Sequence, residues 1–241
     1  MRFDVLTIFP DFLTSPLDEG IIRRAIKKKQ IEVGVTNIRD FATDKHAMTD
    51  DRPFGGGEGM VMKPEPLLAA TKKVNPHGTG HVVFLSPQGR VFNQQVATEL
   101  CQHDQLILIC GRYEGVDQRF LDLHVDEEIS IGDFILTGGE LGAMIIIDAV
   151  TRLLPGAVGC ADSIVNDTFS RGGLKYPQYT RPREFAGVEI PEVLLSGNHA
   201  AIKEWRWLQS MQRTKERRPD LFEALALTAK EKKMLRAHHI L

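Results

Sequence analysis

No run of apolar residues in this 241-residue chain approaches the roughly 20 that a membrane-spanning helix requires, so a bilayer span is not expected. The amino-terminal MRFDVLTIFPDF is apolar in part, but Asp4, Pro10 and Asp11 interrupt it and no small-residue cleavage site follows. It reads as a buried strand rather than a signal peptide. Cysteine is scarce: Cys101, Cys110 and Cys160 are odd in number and far apart, which fits neither a disulfide framework nor a zinc site. A reducing cytoplasm is the expected location. There is no G-x-G-x-x-G after the first apolar run and no G-x-x-x-x-G-K-[ST], so dinucleotide and nucleoside-triphosphate folds of those types are excluded. The run FGGGEGM, Phe54–Met60, lacks the lysine and hydroxyl residue of a phosphate loop and reads as a mobile or tightly turned loop near a site. No internal repeat and no low-complexity tract occurs.

What is present is ordinary in bulk, with 42% hydrophobic and 26% charged residues and a net charge of −2, values typical of a globular protein. The charge is unevenly placed. From Asn198 to Leu241 ten Lys/Arg face five Asp/Glu, a balance of +5, while the remainder carries 20 against 27, a balance of −7. A basic appendage on an acidic body suits a polyanionic partner, although a solvated helical surface has the same composition.

Apolar runs alternate with helical periodicity along the first 155 residues. Strands are expected at Phe3–Ile8, Glu32–Thr36, His81–Leu85, Leu106–Cys110 and Glu128–Ile131. Helices are expected at Leu17–Lys28, from Pro64 to about Lys73, at Asn93–Cys101, Asp117–Leu123 and Leu141–Leu154. The last is apolar nearly all round, which places it in a core or at a subunit contact. Continuous apolar strands separated by helices imply an α/β fold with a mostly parallel sheet. The pattern lapses from Gly156 to Pro191, and helical periodicity returns at Ala200–Arg217, Asp220–Leu225 and Ala229–His238, the last behind a Thr228 cap. The expected organisation is therefore an α/β domain over 1–157, a linker over 158–190 and a small all-helical domain over 191–241.

Ligands of open parallel sheets bind beyond the carboxyl ends of the strands. Three successive strands here end in glycine-bearing segments: FLSPQGR (Phe84–Arg90), ICGRYEG (Ile109–Gly115) and IGDFILTGGE (Ile131–Glu140). Glycine lets backbone amides and carbonyls come close to a ligand. A flat heterocycle such as adenine suits the arrangement, its edge met by backbone and its faces by Leu85, Ile131, Ile135 and Leu136.

GRYEG, IGDFILTGGE, DAVTRLLPG (Asp148–Gly156) and YTRP (Tyr179–Pro182) resemble, in the same order, the motifs of the bacterial tRNA (guanine-N1)-methyltransferases, the TrmD family of the SPOUT superfamily. The resemblance runs over essentially the whole chain, from MRFDVLTIFP through DDRPFGGGEGMVMKPEP to the C-terminal helices. It implies a SPOUT-type domain with a deep trefoil knot near the cofactor loops, a homodimer with its active site at the subunit interface, S-adenosylmethionine as methyl donor, and tRNA as substrate. The implied target is the guanine immediately 3′ of the anticodon. The donor-binding set it implies is Leu85, Ser86, Pro87, Gln88, Gly89, Gly111, Tyr113, Glu114, Ile131, Gly132, Asp133, Phe134, Ile135, Leu136, Gly138 and Gly139.

Methylation of guanine N1 needs a base for the N1 proton and a donor or cation for charge developing on O6. By resemblance Asp167, in VNDTFS, is the base and Arg152 the cation; alone, Asp167 reads as a turn or cap residue and Arg152 as a cation at a helix C-terminus. The expected phosphate contacts are Arg112, Arg181, Arg183, Arg213, Lys215, Arg217 and Arg218. No metal is required by the chemistry and none is assigned ligands, although the family is linked to magnesium. Lys175 stands where many relatives carry an acidic residue, so a carboxylate contact there is not carried over. The competing readings are a knotted RNA 2′-O-ribose methyltransferase and a noncatalytic RNA-binding protein.

Overall fold

The computed structural model describes residues 1–158, 167–169 and 172–241. Two compact units divide the chain, Met1–Gly159 and Cys160–Leu241.

The first unit is a five-stranded sheet in the order β2-β1-β6-β5-β7. Its strands are β1 (Arg2–Thr7), β2 (Glu32–Asn37), β5 (His81–Val91), β6 (Gln105–Cys110) and β7 (Glu127–Ser130). Every pairing among them is parallel. The two-residue strands β3 (Asp50–Asp51) and β4 (Val61–Met62) pair antiparallel outside it. Because a strand's side chains alternate between faces, the central strands feed two cores. Phe3, Val5, Val83, Leu85, Leu106, Leu108, Cys110 and Ile129 pack with α2 (Gly20–Lys27), α4 (Gln94–Leu100) and α6 (Glu140–Leu153). Leu6, Val82, Phe84, Ile107 and Ile109 pack with α3 (Pro64–Val74) and α5 (Gln118–His124) on the other side. Strands covered on both faces are largely apolar, which is why β5 and β6 stood out as continuous runs; β1 departs from this at the buried Asp4, paired with Arg2 at 2.7 Å.

Local chemistry sets the helix starts. Pro64 occupies the first turn of α3, where its missing N–H costs nothing. Asn93 accepts from the Val96 N–H at 3.0 Å to cap α4, and Asp117 accepts from the Arg119 N–H at 3.0 Å to cap α5. Cys101 and Cys110 are free thiols, and Cys160 lies outside the described residues.

The second unit holds the helices His199–Arg217, Pro219–Glu223 and Ala229–Ala237. They enclose a core of Met211, Phe222, Leu235 and Ile240, with Trp207 packed against it, while Trp205 lies 6.3 Å from the Tyr179 ring. A capping box starts the last helix: Glu231 N–H donates to Thr228 Oγ1, and the Thr228 N–H donates to Glu231 Oε2 at 2.8 Å. The same unit contains an antiparallel hairpin, Glu184–Phe185 with Val188–Glu189. Its turn residues Ala186 and Gly187 both have positive φ, 53° and 77°, the conformation that matches strand twist in a two-residue turn. The stretch expected as a linker therefore carries structure of its own. Alanine at a positive-φ turn position gives no turn signal, so the hairpin was not legible.

Candidate active site

The carboxyl end of the sheet is built from three segments, and the first differs from expectation. SPQG does not follow the strand; it interrupts it. Leu85 and Arg90 both pair with Ile129, so Ser86–Gly89 leave the ladder and the strand resumes behind them. Gly89 is required at the re-entry, since a Cβ there would lie 2.4 Å from the Glu128 carbonyl carbon and the Ile129 nitrogen. The second segment, Gly111–Gly115, turns tightly with Tyr113 at φ 60°, a left-handed conformation that costs a non-glycine residue. The third, Ile131–Gly139, returns the chain to the amino end of α6. There the Gly139 N–H donates to the Gly111 carbonyl at 3.1 Å, fastening the third segment to the second.

These segments enclose a cavity of about 420 Å³, within the range of small-molecule sites. Of the expected donor set, Leu85, Ser86, Pro87, Gln88, Gly111, Tyr113, Glu114, Ile131, Gly132, Phe134, Ile135, Leu136, Gly138 and Gly139 line it. Gly89 and Asp133 are not among the lining residues; Gly89 supports the excursion from behind. The wall also includes Phe84, Gln118, Glu128, Ser130, Thr137 and Gly142, which sequence reasoning left unassigned. Leu85, Ile131 and Leu136 beside the close backbone of Gly111, Gly138 and Gly139 suit a flat heterocycle, so the residues present fit the adenosyl part of a donor.

Arg112 also lines the cavity, where the sequence had suggested a phosphate contact. Its guanidinium is committed to a buried carboxylate: Nη2 lies 2.9 Å from Glu140 Oε2, with side-chain exposures of 15% and 1%, and Nε donates to Oε1 at 3.2 Å. Thr7 Oγ1 donates to the same Oε1 at 2.6 Å. Arg112 further donates to the Thr137 carbonyl at 3.0 Å and stacks 4.5 Å from the Phe9 ring centroid. One buried carboxylate thus ties the end of β1, the second segment and the start of α6 together. An acid in the first turn is favoured by the helix dipole, the one sequence signal for Glu140; its partners lie 28 and 133 residues away. Burial pushes the Cys110 thiol well up from its ordinary range, and Glu140 adds to the shift. Cys110 is therefore a packed neutral thiol rather than a nucleophile.

The FGGGEGM run does sit beside this site. Glu114 N–H donates to the Met60 carbonyl at 2.9 Å, and Met62 N–H donates to the Gly115 carbonyl at 2.9 Å. Phe54, the first residue of the run, is 99% exposed.

Arg152 occupies the last turn of α6, half-buried, in the first unit. Asp167 belongs to the second unit and is also half-buried; its Oδ1 accepts from the Thr168 N–H at 3.1 Å and lies 3.5 Å from Lys175 Nζ. Arg181, Arg213, Arg217 and Arg183 are on or near the surface of the second unit, with Arg183 3.2 Å from Glu189. Arg218 pairs with Asp220 at 2.6 Å, which raises the arginine's pKa and lowers the aspartate's. Lys215 donates to the Ile240 carbonyl. Among the described residues no group of three or more His, Cys, Asp or Glu is placed to hold a metal, and no helix is long and apolar enough to cross a membrane.

An all-parallel α/β layer with a glycine-walled cavity at its strand ends, lacking a dinucleotide fingerprint, defines a class of α/β proteins with a small-molecule-sized site at the carboxyl end of the sheet. Residues 1–224 match the family described as tRNA (Guanine-1)-methyltransferase TrmD. The tRNA (guanine-N(1)-)-methyltransferases of Geotalea uraniireducens and Moorella thermoacetica are each 53% identical to this chain, over 236 and 238 residues, covering 98% of it and 96% and 95% of themselves. That of Dehalococcoides mccartyi is 52% identical over 237 residues, covering 98% and 96%. The chain belongs to the TrmD family.

Proposed function

We propose that this protein transfers a methyl group from S-adenosylmethionine to N1 of a guanine in tRNA, the one immediately 3′ of the anticodon. The observation that carries this reading is the three-segment cavity at the carboxyl end of the sheet, in a chain matched by the family over 1–224. When bound, the donor supplies an electrophilic methyl group and a neutral thioether leaving group. The protein then has to position, deprotonate and stabilise. Leu85, Ile131 and Leu136 hold the adenine faces, and backbone groups of Gly111, Gly138 and Gly139 meet its edge. Asp167 accepts the N1 proton as the N1–methyl bond forms and the sulfur–methyl bond breaks. Arg152 stabilises charge on O6. The basic surface of the C-terminal helices, with Arg181 and Arg183, contacts phosphate.

The trefoil knot and the homodimer belong to the same proposal. In support of the dimer, Phe134, Ile135, Leu141 and Ile145 are exposed apolar residues on consecutive parts of the third segment and α6, Ile135 at 82%, and such a patch marks an interface. A second copy seated there places the active site between subunits. The test is methylation of a purified tRNA with labelled donor, followed by digestion to nucleosides. The expected product is 1-methylguanosine. A 2′-O-methylated nucleoside, or RNA binding without transfer, would overturn the assignment.

A further inference from the structure

Thr214 is a hydroxyl residue with no exposure, on a helix whose outer face is basic. Its Oγ1 donates to the Ser210 carbonyl at 2.7 Å, an ordinary use for threonine within a helix. It also accepts from the Leu174 N–H at 2.9 Å, and Ser210 Oγ donates to the Leu174 carbonyl at 2.6 Å. Both backbone groups of Leu174 are thus held by side chains of the helix His199–Arg217. The fit is close, since a Cβ on Gly173 would lie 3.1 Å from Thr214 Oγ1.

The contact continues outward along the chain. Phe169 N–H donates to the Gly173 carbonyl at 2.9 Å, and Lys175 N–H donates to Thr168 Oγ1 at 3.2 Å, so 167–169 doubles back on 173–175. Across that clasp the Lys175 ammonium and the Thr168 N–H converge on one oxygen of Asp167, at 3.5 and 3.1 Å.

We propose that Thr214 and Lys175 are positioning residues for the reaction: Thr214 fixes the 173–175 segment to the helix, and Lys175 on that segment orients the Asp167 carboxylate. The inference rests on the reading of Asp167 as the base. Its consequence is that the helix bearing Arg213 and Arg217 and the carboxylate that takes the proton move as one body. A tRNA gripped by that helix meets the base in a fixed register. Neither residue touches the base being methylated.

The experiment is single-turnover methyl transfer at saturating donor and tRNA, for Lys175→Gln and Thr214→Val, each with Asp167 intact and with Asp167→Asn. With Asp167 intact, each substitution lowers the rate constant on the order of tenfold, the scale at which contacting groups couple. The dissociation constants for donor and tRNA stay unchanged. Lys175→Arg and Thr214→Ser restore the rate. With Asp167→Asn, neither substitution has a further effect. Equal losses in both backgrounds would place Lys175 and Thr214 outside the path to Asp167 and overturn the proposal, as would unchanged rates or a loss confined to tRNA affinity. If Asp167→Asn alone keeps the full rate, the base assignment falls first and the proposal with it, an outcome read separately from the others. Should Thr214→Val fail to fold by circular dichroism, the partly exposed Lys175→Gln still decides.

Discussion

A methyl group added at Gly139 tests whether the cavity depends on the close meeting of its three segments. At Gly139→Ala the new Cβ would stand 2.7 Å from Cys110 Cα, 3.1 Å from Leu85 Cβ and 3.3 Å from Cys110 Cβ. Carbon atoms rest at about 3.5–4.0 Å, so the third segment must retreat by about an ångström from Leu85 of β5 and Cys110 at the end of β6. The backbone itself is not the obstacle: Gly139 has φ −78° and ψ −9°, which alanine adopts freely. Overpacking of this kind costs about 1–3 kcal/mol, and the retreat also breaks the bond from the Gly139 N–H to the Gly111 carbonyl. Donor affinity is expected to fall about 10- to 100-fold, at 1.4 kcal/mol per tenfold, with a melting temperature lower by about 2–4 °C per kcal/mol lost. Calorimetric titration with S-adenosylmethionine and a thermal melt read both. Gly142→Ala, three residues on, is the comparison. Its Cβ would meet only side-chain atoms, Leu85 Cδ1 at 3.0 Å and Ile131 Cγ2 at 3.6 Å, and alanine favours the helix by up to about 1 kcal/mol. Gly142 lines the cavity too, but only the flexible end of Leu85 has to give, so the loss of affinity should be clearly smaller than at Gly139. A Gly139→Ala protein with wild-type affinity and melting temperature would show that the cavity does not depend on this contact.

Glu140→Gln strips the buried partner from Arg112 and should cost about 3–5 kcal/mol of stability, toward the lower end because Arg112 retains Thr137. Chemical denaturation measures it, and a loss typical of surface pairs would contradict the assignment of a buried clamp. Reversing charge at Arg213, Lys215, Arg217 and Arg218 should weaken tRNA binding and flatten its salt dependence by about 0.7–0.9 logarithmic units per lost phosphate contact. Since Lys215 and Arg218 are already engaged within the protein, most of the effect should come from Arg213 and Arg217; an unaltered slope puts the RNA elsewhere. Burial, and next its stacking partner His81 at 4.2 Å, lowers the His103 pKa. The unfolded chain then binds more protons below the ordinary imidazole value, so stability is lost as pH falls through that value toward the lowered one. His103→Gln should flatten that acid limb of the urea midpoint, and an unchanged limb would remove His103 as its source.

The fold was legible where burial was two-sided. Leu106 to Cys110 in β6 form an unbroken apolar run because both faces of the sheet are covered, and in β1 Phe3, Val5 and Leu6 are interrupted only by Asp4, buried against Arg2; Asn93, Asp117 and Thr228 marked helix starts by their own chemistry. What escaped had no local signature. Ser86–Gly89 read as a loop after a strand because nothing in SPQG says that the ladder resumes at Arg90. Arg112 read as a phosphate contact because its partner Glu140 is brought to it only by the fold. The cavity wall from Gly111 to Gly115 and Ile131 to Gly139 was visible through its glycines, which close backbone contact demands. Phe84, Gln118 and Glu128 join that wall through strand and helix geometry that spacing does not encode. Lys175 appeared only as a departure from related sequences, and its contact with Asp167 comes from the chain doubling back through Phe169 and Gly173.

The proposed reaction divides the labour: the cavity of the first unit would hold the donor, and Asp167 of the second unit would take the proton. The most direct measurement compares Asp167→Asn with wild type in two quantities, the dissociation constant for S-adenosylmethionine and the single-turnover rate of methyl transfer to tRNA. The dissociation constant is expected to stay unaltered and the rate to fall by at least about 10²-fold, the scale of losing a general base. A near-wild-type rate, or loss of donor binding in step with the rate, would contradict that division.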